Sequence, residues 1–218
     1  MTTYLLSPAN LGGVRGKQLL SGQSQFPLAL RLRGEGAPLG ELFSFVSALY
    51  FRGKLTYATT FAGPARERVR VITSNRGLMA PEAVMTATDL AGFGACEIDP
   101  AEARYADPLR RDLAGLPPGP VVFLGSLATG KYLEILAAAL GPRLVAPVRF
   151  VGLGDMSRGS LLLEAARTGR ELEYRAGATT RGPRAAARIS RYFPVARLPR
   201  KTTGPGGSPA KSRRRGSA

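Results

Sequence analysis

The sequence predicts an α/β fold: a single domain with a largely parallel or mixed sheet flanked by helices, followed by a disordered basic tail. Through residues 1–176, short apolar runs typical of buried strands alternate with longer segments of helical periodicity. From residue 177 to 218 this periodicity ends and proline and glycine become frequent. That segment is predicted to lack a packed core, with a transient basic helix at 182–193 as its one exception.

The first half of the domain begins with a strand at residues 3–7, which Pro8 ends because proline cannot donate to a strand ladder. Residues 18–33 form a weak helix candidate with a proline inside it. The strongest helical periodicity of this half lies at 39–61 and predicts one long helix. A second strand is predicted at 69–74, and it leads into a glycine-containing loop.

The second half predicts further alternation of helices and strands. Residues 88–98 fit either a strand or a short helix, and the alternative stays open. Asp155 is predicted to cap the last helix at its N-terminus. The predicted helices lie at 107–115, 129–140 and 156–168, and the predicted strands at 121–124, 144–151 and 171–174.

The composition excludes several classes of chemistry. The chain has no histidine and one cysteine, Cys96, so His-dependent triads and zinc sites built from histidine and cysteine are ruled out. We therefore expect no metal and no cofactor. The lone cysteine favours a reducing cytoplasm, and neither a signal-like segment nor a membrane-length apolar run is evident.

The net charge of +16 is concentrated toward the end of the chain. Eleven of the 31 lysine and arginine residues lie from Arg181 onward, where there is no acid. Residues 1–180 therefore carry 20 basic and 15 acidic residues, a balance of +5. An excess of positive charge favours a nucleic-acid partner.

Three predicted strands end in a serine, and the carboxyl ends of parallel strands form the usual ligand site of an open α/β sheet. Polar and cationic residues follow these serines in the sequence. Together they predict one shared anion-binding or nucleotide-binding pocket, although serines at these positions also cap helices and turns. The residues of this group are Ser7, Asn10, Ser74, Asn75, Arg76, Ser126 and Lys131.

Other cations are candidates for phosphate binding. Gly125–Lys131 is similar to a phosphate loop, but Tyr132 replaces the hydroxyl residue that binds magnesium, so only anion binding at the helix start is expected. Ser157 and Arg158 lie in a predicted first helical turn, where arginine opposes the helix dipole. Either this arginine grips a phosphate or it pairs with Asp155.

Two further pairs of cations lie in the first third of the chain. Arg15 and Lys17 belong to a glycine-rich loop after the first strand, and Arg52 and Lys54 follow an aromatic pair formed by residues 50–51. Aromatic rings beside cations can stack a base and hold its backbone. The alternative is that the aromatic residues belong to the core while the cations are solvated.

Several short segments resemble the YaaA-like family of bacterial peroxide-stress proteins. Ser7-Pro8-Ala9-Asn10 is close to that family's Ser-Pro-Ala-Lys, with Asn10 where lysine is usual. Similar segments follow in collinear order at 47–53, 74–81, 124–132 and 156–159. The resemblance implies an α/β DNA-binding fold with a positively charged cleft and a role in limiting oxidative damage to DNA. Related domains occur in base-modification systems, and Asn10 removes one cation from the implied cleft.

Three functions remain open on the sequence. The first is a DNA-binding protein without catalysis, DNA being favoured over RNA. The second is an enzyme acting on a nucleobase or nucleotide, with Asp155 as the leading carboxylate for acid–base work and Asp89, Glu82 and Glu41 as alternatives. The third is a domain that binds a small anion or a protein and carries an incidental tail.

Overall fold

The computed structural model describes residues 1–127 and 130–176. The predicted tail at 177–218 and its transient helix at 182–193 lie outside the described residues. The α/β fold is confirmed: a six-stranded mixed sheet has the strand order β4-β3-β1-β6-β7-β8, and β2 pairs with β5 in a small second sheet. The strands are β1 Thr3–Leu6, β2 Ala37–Pro38, β3 Val69–Ile72, β4 Leu78–Met79, β5 Val84–Met85, β6 Val121–Leu124, β7 Leu144–Pro147 and β8 Tyr174–Ala176.

Helices separate most of these strands along the chain. No helix within the described ranges has the length and apolar character needed to cross a membrane. The helices are α1 Val14–Leu20, α2 Pro27–Arg33, α3 Leu39–Ala62, α4 Ala87–Gly94, α5 Ala103–Ala114, α6 Gly130–Leu140 and α7 Asp155–Thr168.

Strand β1 lies inside the sheet and pairs in parallel with β3 on one side and with β6 on the other. All four residues of β1 and of β6 are buried, as expected for parallel strands that helices cover on both faces. The two edge strands, β4 and β8, run antiparallel to their neighbours. The sheet is therefore parallel in its centre and mixed overall.

The two faces of the sheet carry different helices. The Tyr4 ring lies edge-on to Tyr57 of α3, with 6.2 Å between ring centroids. Phe123 packs on Tyr132 of α6 at 5.6 Å, and it lies opposite Leu5, whose side chain faces away from that of Tyr4. Helix α3 also packs against α7, and α5 packs against α6. The sheet is thus enclosed between an α3–α7 layer and an α5–α6 layer.

Several element predictions need correction. Pro27 does not interrupt a helix but begins α2, where its missing N–H costs nothing. At 88–98, where a strand and a short helix were both open, the helix is confirmed as α4, and the last strand is Tyr174–Ala176 rather than 171–174. The prediction that Asp155 is an N-cap is wrong: Gly154 holds that position and Asp155 is the first helical residue. The short strands β2, β4 and β5 were not predicted, because two residues carry no periodicity.

The long helix predicted at 39–61 exists but bends sharply. Ala48 has φ 43° and ψ −118°, a conformation that an L-residue other than glycine rarely adopts. Such strain persists only where the surrounding packing imposes it. The bend lets the second half of α3 run beside β1 and α7, and this brings Tyr50 and Lys54 to the end of β1.

Candidate functional site

Loops from three strands meet at the carboxyl edge of the sheet and surround a crevice of about 330 Å³. The chain leaves β1 toward β3 and later leaves β6 toward β7 in the opposite direction, so the edge between β1 and β6 is a topological switch point, where α/β domains commonly bind ligands. The crevice is lined by Pro8, Ala9, Asn10, Leu11, Gly12, Phe43, Ser74, Phe93, Gly94, Cys96, Ile98, Lys131 and Tyr132.

Ser7 and Lys54 form a buried polar pair directly after β1. Lys54 Nζ lies 2.6 Å from the Ser7 carbonyl oxygen and 2.9 Å from Ser7 Oγ. Ser7 is 5% exposed and Lys54 is 1% exposed. The amine also lies 4.5 Å from the centroid of the Tyr50 ring and 4.8 Å from that of Phe51. The expectation that this lysine is solvated is therefore wrong.

Lys54 has no carboxylate partner within salt-bridge distance in the part of the chain that the structure describes. Burial lowers its pKa to about 7, and the more distant negative charge of Asp155 opposes this only in part. A lysine that loses its proton near neutral pH can act as a base or nucleophile. Strongly shifted groups beside a crevice are candidates for a functional site.

Arg158 lies on α7, the helix that packs against α3, and is only 6% exposed. Its Nε and Nη2 donate to the Phe150 carbonyl oxygen at 3.2 and 3.1 Å, and its Nη1 is 3.4 Å from Asp155 Oδ1. Arg158 therefore pairs with Asp155, as one of the two alternatives predicted, and its guanidinium also donates to a backbone carbonyl oxygen. Ser157, one residue earlier, is exposed on α7.

The Tyr50 hydroxyl is buried without a hydrogen-bond partner among the described residues. Burial raises the pKa of this hydroxyl to about 12, although the nearby charge of Arg158 acts in the opposite direction. The Arg158 charge is close enough to affect the pKa of the Tyr50 hydroxyl, but no hydrogen bond joins the two side chains. An unpaired buried hydroxyl is rare, so it calls for an explanation.

The polar side chains of the loop after β3 bond to other parts of the domain. Ser74 Oγ donates to the Phe93 carbonyl oxygen at 2.7 Å, and Asn75 Nδ2 donates to that of Gly92 at 3.1 Å. Asn75 Oδ1 is buried and has no partner among the described residues. Arg76 forms an ion pair with Asp89. Of these predicted ligand residues only Ser74 lines the crevice.

The other two strand ends contribute exposed side chains. Asn10 and Lys131 line the crevice, and the Lys131 amine lies 5.6 Å from the Tyr132 ring centroid. Asn10 Oδ1 accepts a hydrogen bond from the Gly12 N–H at 3.0 Å. Ser126 follows β6 and is partly buried. The structure thus brings parts of all three serine-ended loops to one edge, as the alternation of elements predicts.

Three predicted cations lie outside the crevice. Arg15 and Lys17 are exposed on α1, where Arg15 donates to the Phe45 carbonyl oxygen at 3.2 Å. Arg52 is exposed on α3. None of the three forms an ion pair among the described residues.

Three carboxylates predicted for acid–base work lie away from the crevice lining. Asp89 closes the capping box of α4: the Thr86 backbone N–H, with its hydroxyl, holds the pKa of this carboxyl low. Glu41 pairs with Arg31, and Glu82 is exposed. Asp155 alone is near the buried cluster, and its side chain is 67% exposed.

Tyr50 beside Lys54 was a candidate from the sequence, but the aromatic residues that line the crevice were not. These residues are Phe43, Phe93 and Tyr132. Nothing in the sequence distinguishes these three from ordinary core aromatics. The one available signal was a lysine at helical spacing from buried residues, at the position where an apolar side chain is expected.

Comparison with protein-family models, with curated proteins and with solved structures gave no match. The described fold is an α/β domain with a crevice at the topological switch point of its sheet. The YaaA-like resemblance stays a prediction.

Proposed function

We propose that this domain binds nucleic acid at the carboxyl edge of its sheet, with one base entering the crevice. The lining of the crevice carries the proposal: the exposed Asn10 and Lys131 lie beside a wall of Phe43, Phe93 and Tyr132, which are 1%, 4% and 6% exposed. Amide and amine groups bond to base edges or phosphates, and an aromatic wall packs against a base. A volume of about 330 Å³ is within the usual range for small-ligand sites.

Exposed cations on α1, α3 and α6 support the proposal. Arg15 and Lys17 on α1, Arg52 on α3 and Lys131 on α6 are exposed and form no ion pair among the described residues. Helices α1 and α6 each follow a strand that ends at the crevice. Exposed cations without a carboxylate partner are free to neutralise phosphates. Arg76 and Arg158, which are already engaged, are left out of the proposed interface.

The YaaA-like resemblance makes DNA the favoured partner and protection from peroxide damage the favoured role. A direct test is fluorescence anisotropy of labelled single-stranded and duplex DNA with the full chain. We expect Arg52→Ala and Lys131→Ala each to weaken binding and to reduce the salt slope by about one unit. Arg167→Ala, which removes an exposed arginine already paired with Glu164, is the control and should bind like the parent.

The proposal fails if the full chain binds no DNA even at low salt. It also fails if the control weakens binding as much as the two interface variants, because the interaction would then be unspecific charge attraction. Binding to a small anion or a protein alone would favour the third hypothesis above.

A second candidate is an enzyme that acts on a nucleobase or nucleotide in the same crevice. The observation in its favour is Lys54, which is buried against Ser7, has no carboxylate partner among the described residues and has a pKa lowered to about 7. Incubation with nucleosides and DNA, followed by mass spectrometry of released bases, tests it. Loss of release in Asp155→Asn would assign acid–base work to that carboxylate, whereas no release from any substrate would exclude this candidate.

A further inference from the structure

Lys54 donates both of its short hydrogen bonds to Ser7. Its Nζ donates to the Ser7 carbonyl oxygen at 2.6 Å and to Ser7 Oγ at 2.9 Å, and Ser7 Oγ donates to the Leu124 carbonyl oxygen at 3.5 Å. An ammonium has three donors, and only the two Ser7 oxygens accept from Nζ among the described residues. The neutral amine has a lone pair, which accepts the Ser7 proton when the hydroxyl turns from Leu124 to Nζ.

Backbone donors lie immediately beyond this pair. The N–H groups of Ala9, Asn10 and Leu11 donate to no acceptor among the described residues, although Ala9 and Leu11 are each only 8% exposed. These three residues line the crevice. Adjacent free N–H groups form a site for an anion, including the oxyanion that develops on an attacked carbonyl.

We propose that Ser7 and Lys54 form a nucleophile–base pair for acyl transfer. The substrate is an ester or amide that enters through the crevice, whose lining begins at Pro8, the residue after Ser7. This inference goes beyond nucleic-acid binding and does not depend on it. A serine beside a lysine base is a known variant of the serine–histidine arrangement, and it suits a chain with no histidine. The buried Tyr50 hydroxyl, unpaired among the described residues, lies in the same cluster and gives a second polar group for positioning.

The reaction balances with these groups and water. Ser7 Oγ bonds to the carbonyl carbon while its proton passes to Lys54 Nζ, and the carbonyl oxygen becomes an oxyanion that the Ala9, Asn10 and Leu11 N–H groups stabilise. Collapse breaks the bond to the alcohol or amine, which leaves with the proton from Lys54. Water then attacks the acyl-serine, with Lys54 again accepting a proton, and the acid and the free serine result.

The test is covalent labelling of the full chain with a fluorescent alkyl fluorophosphonate, which phosphonylates activated serines and releases fluoride. We expect one adduct by intact-protein mass spectrometry, located on Ser7 by peptide mapping and absent from Ser7→Ala. The labelling rate should rise with pH and level off above neutrality as Lys54 loses its proton. Lys54→Met should react about 100-fold more slowly and lose this pH profile.

Ser160→Ala, which changes an exposed serine on α7, is the control and should label like the parent. In Ser7→Cys, the new thiol should react with iodoacetamide at neutral pH faster than Cys96, whose thiol pKa is raised by burial. This second measurement remains available if Lys54→Met does not fold. An unlabelled parent, equal labelling of Ser7→Ala, or a thiol no faster than Cys96 would overturn the proposal.

Discussion

At the scale of single residues, Lys54 and Arg158 are two buried cations whose surroundings differ. Arg158 has a carbonyl acceptor, a nearby carboxylate and the face of an aromatic ring, so its charge is compensated. Lys54 has two rings and two oxygens of one residue but no carboxylate partner among the described residues. A lysine in such surroundings is stable mainly as the neutral amine.

Lys54→Met should therefore change how stability depends on pH. The unfolded chain keeps a lysine pKa near 10.4, whereas burial lowers the folded-state pKa to about 7. Between these values the unfolded state binds more protons, so the free energy of unfolding of the parent increases as pH rises through this window. This stability is lost again as pH falls to about 7. Relative to Lys54→Met, the parent should gain about 2 kcal/mol between pH 7 and pH 9.

Urea unfolding at several pH values measures this gain. Lys17→Met, which changes an exposed lysine, is the control and should follow the pH dependence of the parent. Parallel curves for the parent and Lys54→Met would show that Lys54 keeps an ordinary pKa.

Arg158→Met should destabilise the fold and leave DNA binding unchanged. The substitution removes two guanidinium donors from the Phe150 carbonyl oxygen, which keeps only the Leu153 N–H at 3.3 Å, and losing hydrogen bonds from a charged group costs about 1–3 kcal/mol. On the same helix, Arg167→Met removes an exposed ion pair with Glu164 and should cost much less stability. Urea unfolding compares the two, and a smaller loss for Arg158→Met would contradict its structural role.

At the scale of elements, the contact between α3 and α7 depends on two glycines. A Cβ on Gly53 would lie 2.7 Å from the Gly159 carbonyl oxygen, and a Cβ on Gly159 would lie 2.8 Å from that of Leu49. Only glycine allows the two backbones to approach this closely. This contact holds the bent half of α3 in place, and it therefore fixes Tyr50 and Lys54 beside Ser7.

Gly53→Ala should destabilise the domain by about 1–3 kcal/mol, since the new methyl group would meet backbone that cannot move aside. Alanine ordinarily stabilises a helix relative to glycine by about 1 kcal/mol, so the expected sign is reversed. Gly92→Ala in α4 is the control: its Cβ would lie at an ordinary 3.5 Å from Asn75 Nδ2, and the variant should be neutral or more stable. Thermal unfolding of both variants is the measurement, and a stabilised Gly53→Ala would contradict the close approach.

At the scale of the whole molecule, most of the net positive charge lies in the last 38 residues of the sequence. Residues 1–180 carry a balance of +5, and the remaining +11 lies from Arg181 onward. Long-range attraction to a polyanion therefore depends mainly on the tail sequence, whereas the crevice and its rim offer local contacts.

Removal of residues 177–218 should weaken DNA binding and flatten its dependence on salt. The slope of log K against log salt is about −0.9 per neutralised phosphate on duplex DNA, and eleven basic residues are lost. Titrations at several salt concentrations, with circular dichroism to confirm folding, measure both slopes. Identical slopes with and without the tail would show that only the domain contacts phosphate.

Much of the fold was predictable because each long element carries its own pattern. The strands at 121–124 and 69–72 and the helices at 130–140 and 155–168 lie close to their predicted positions. Alternation also predicted that the loops after β1, β3 and β6 would share one edge. The bend at Ala48 was not predictable, because no glycine or proline marks it and the packing against α7 imposes it.

The candidate site divides in the same way. Residue patterns alone predict an α/β domain, exclude histidine chemistry and bring Ser7, Ser74 and Lys131 to one edge, since periodicity, composition and strand direction are local properties. Which cations are exposed and which are buried depends on packing between segments that are distant in the chain. Lys54 lost its solvent and gained Ser7 as a partner because the bent α3 packs across the end of β1, 47 residues away along the chain.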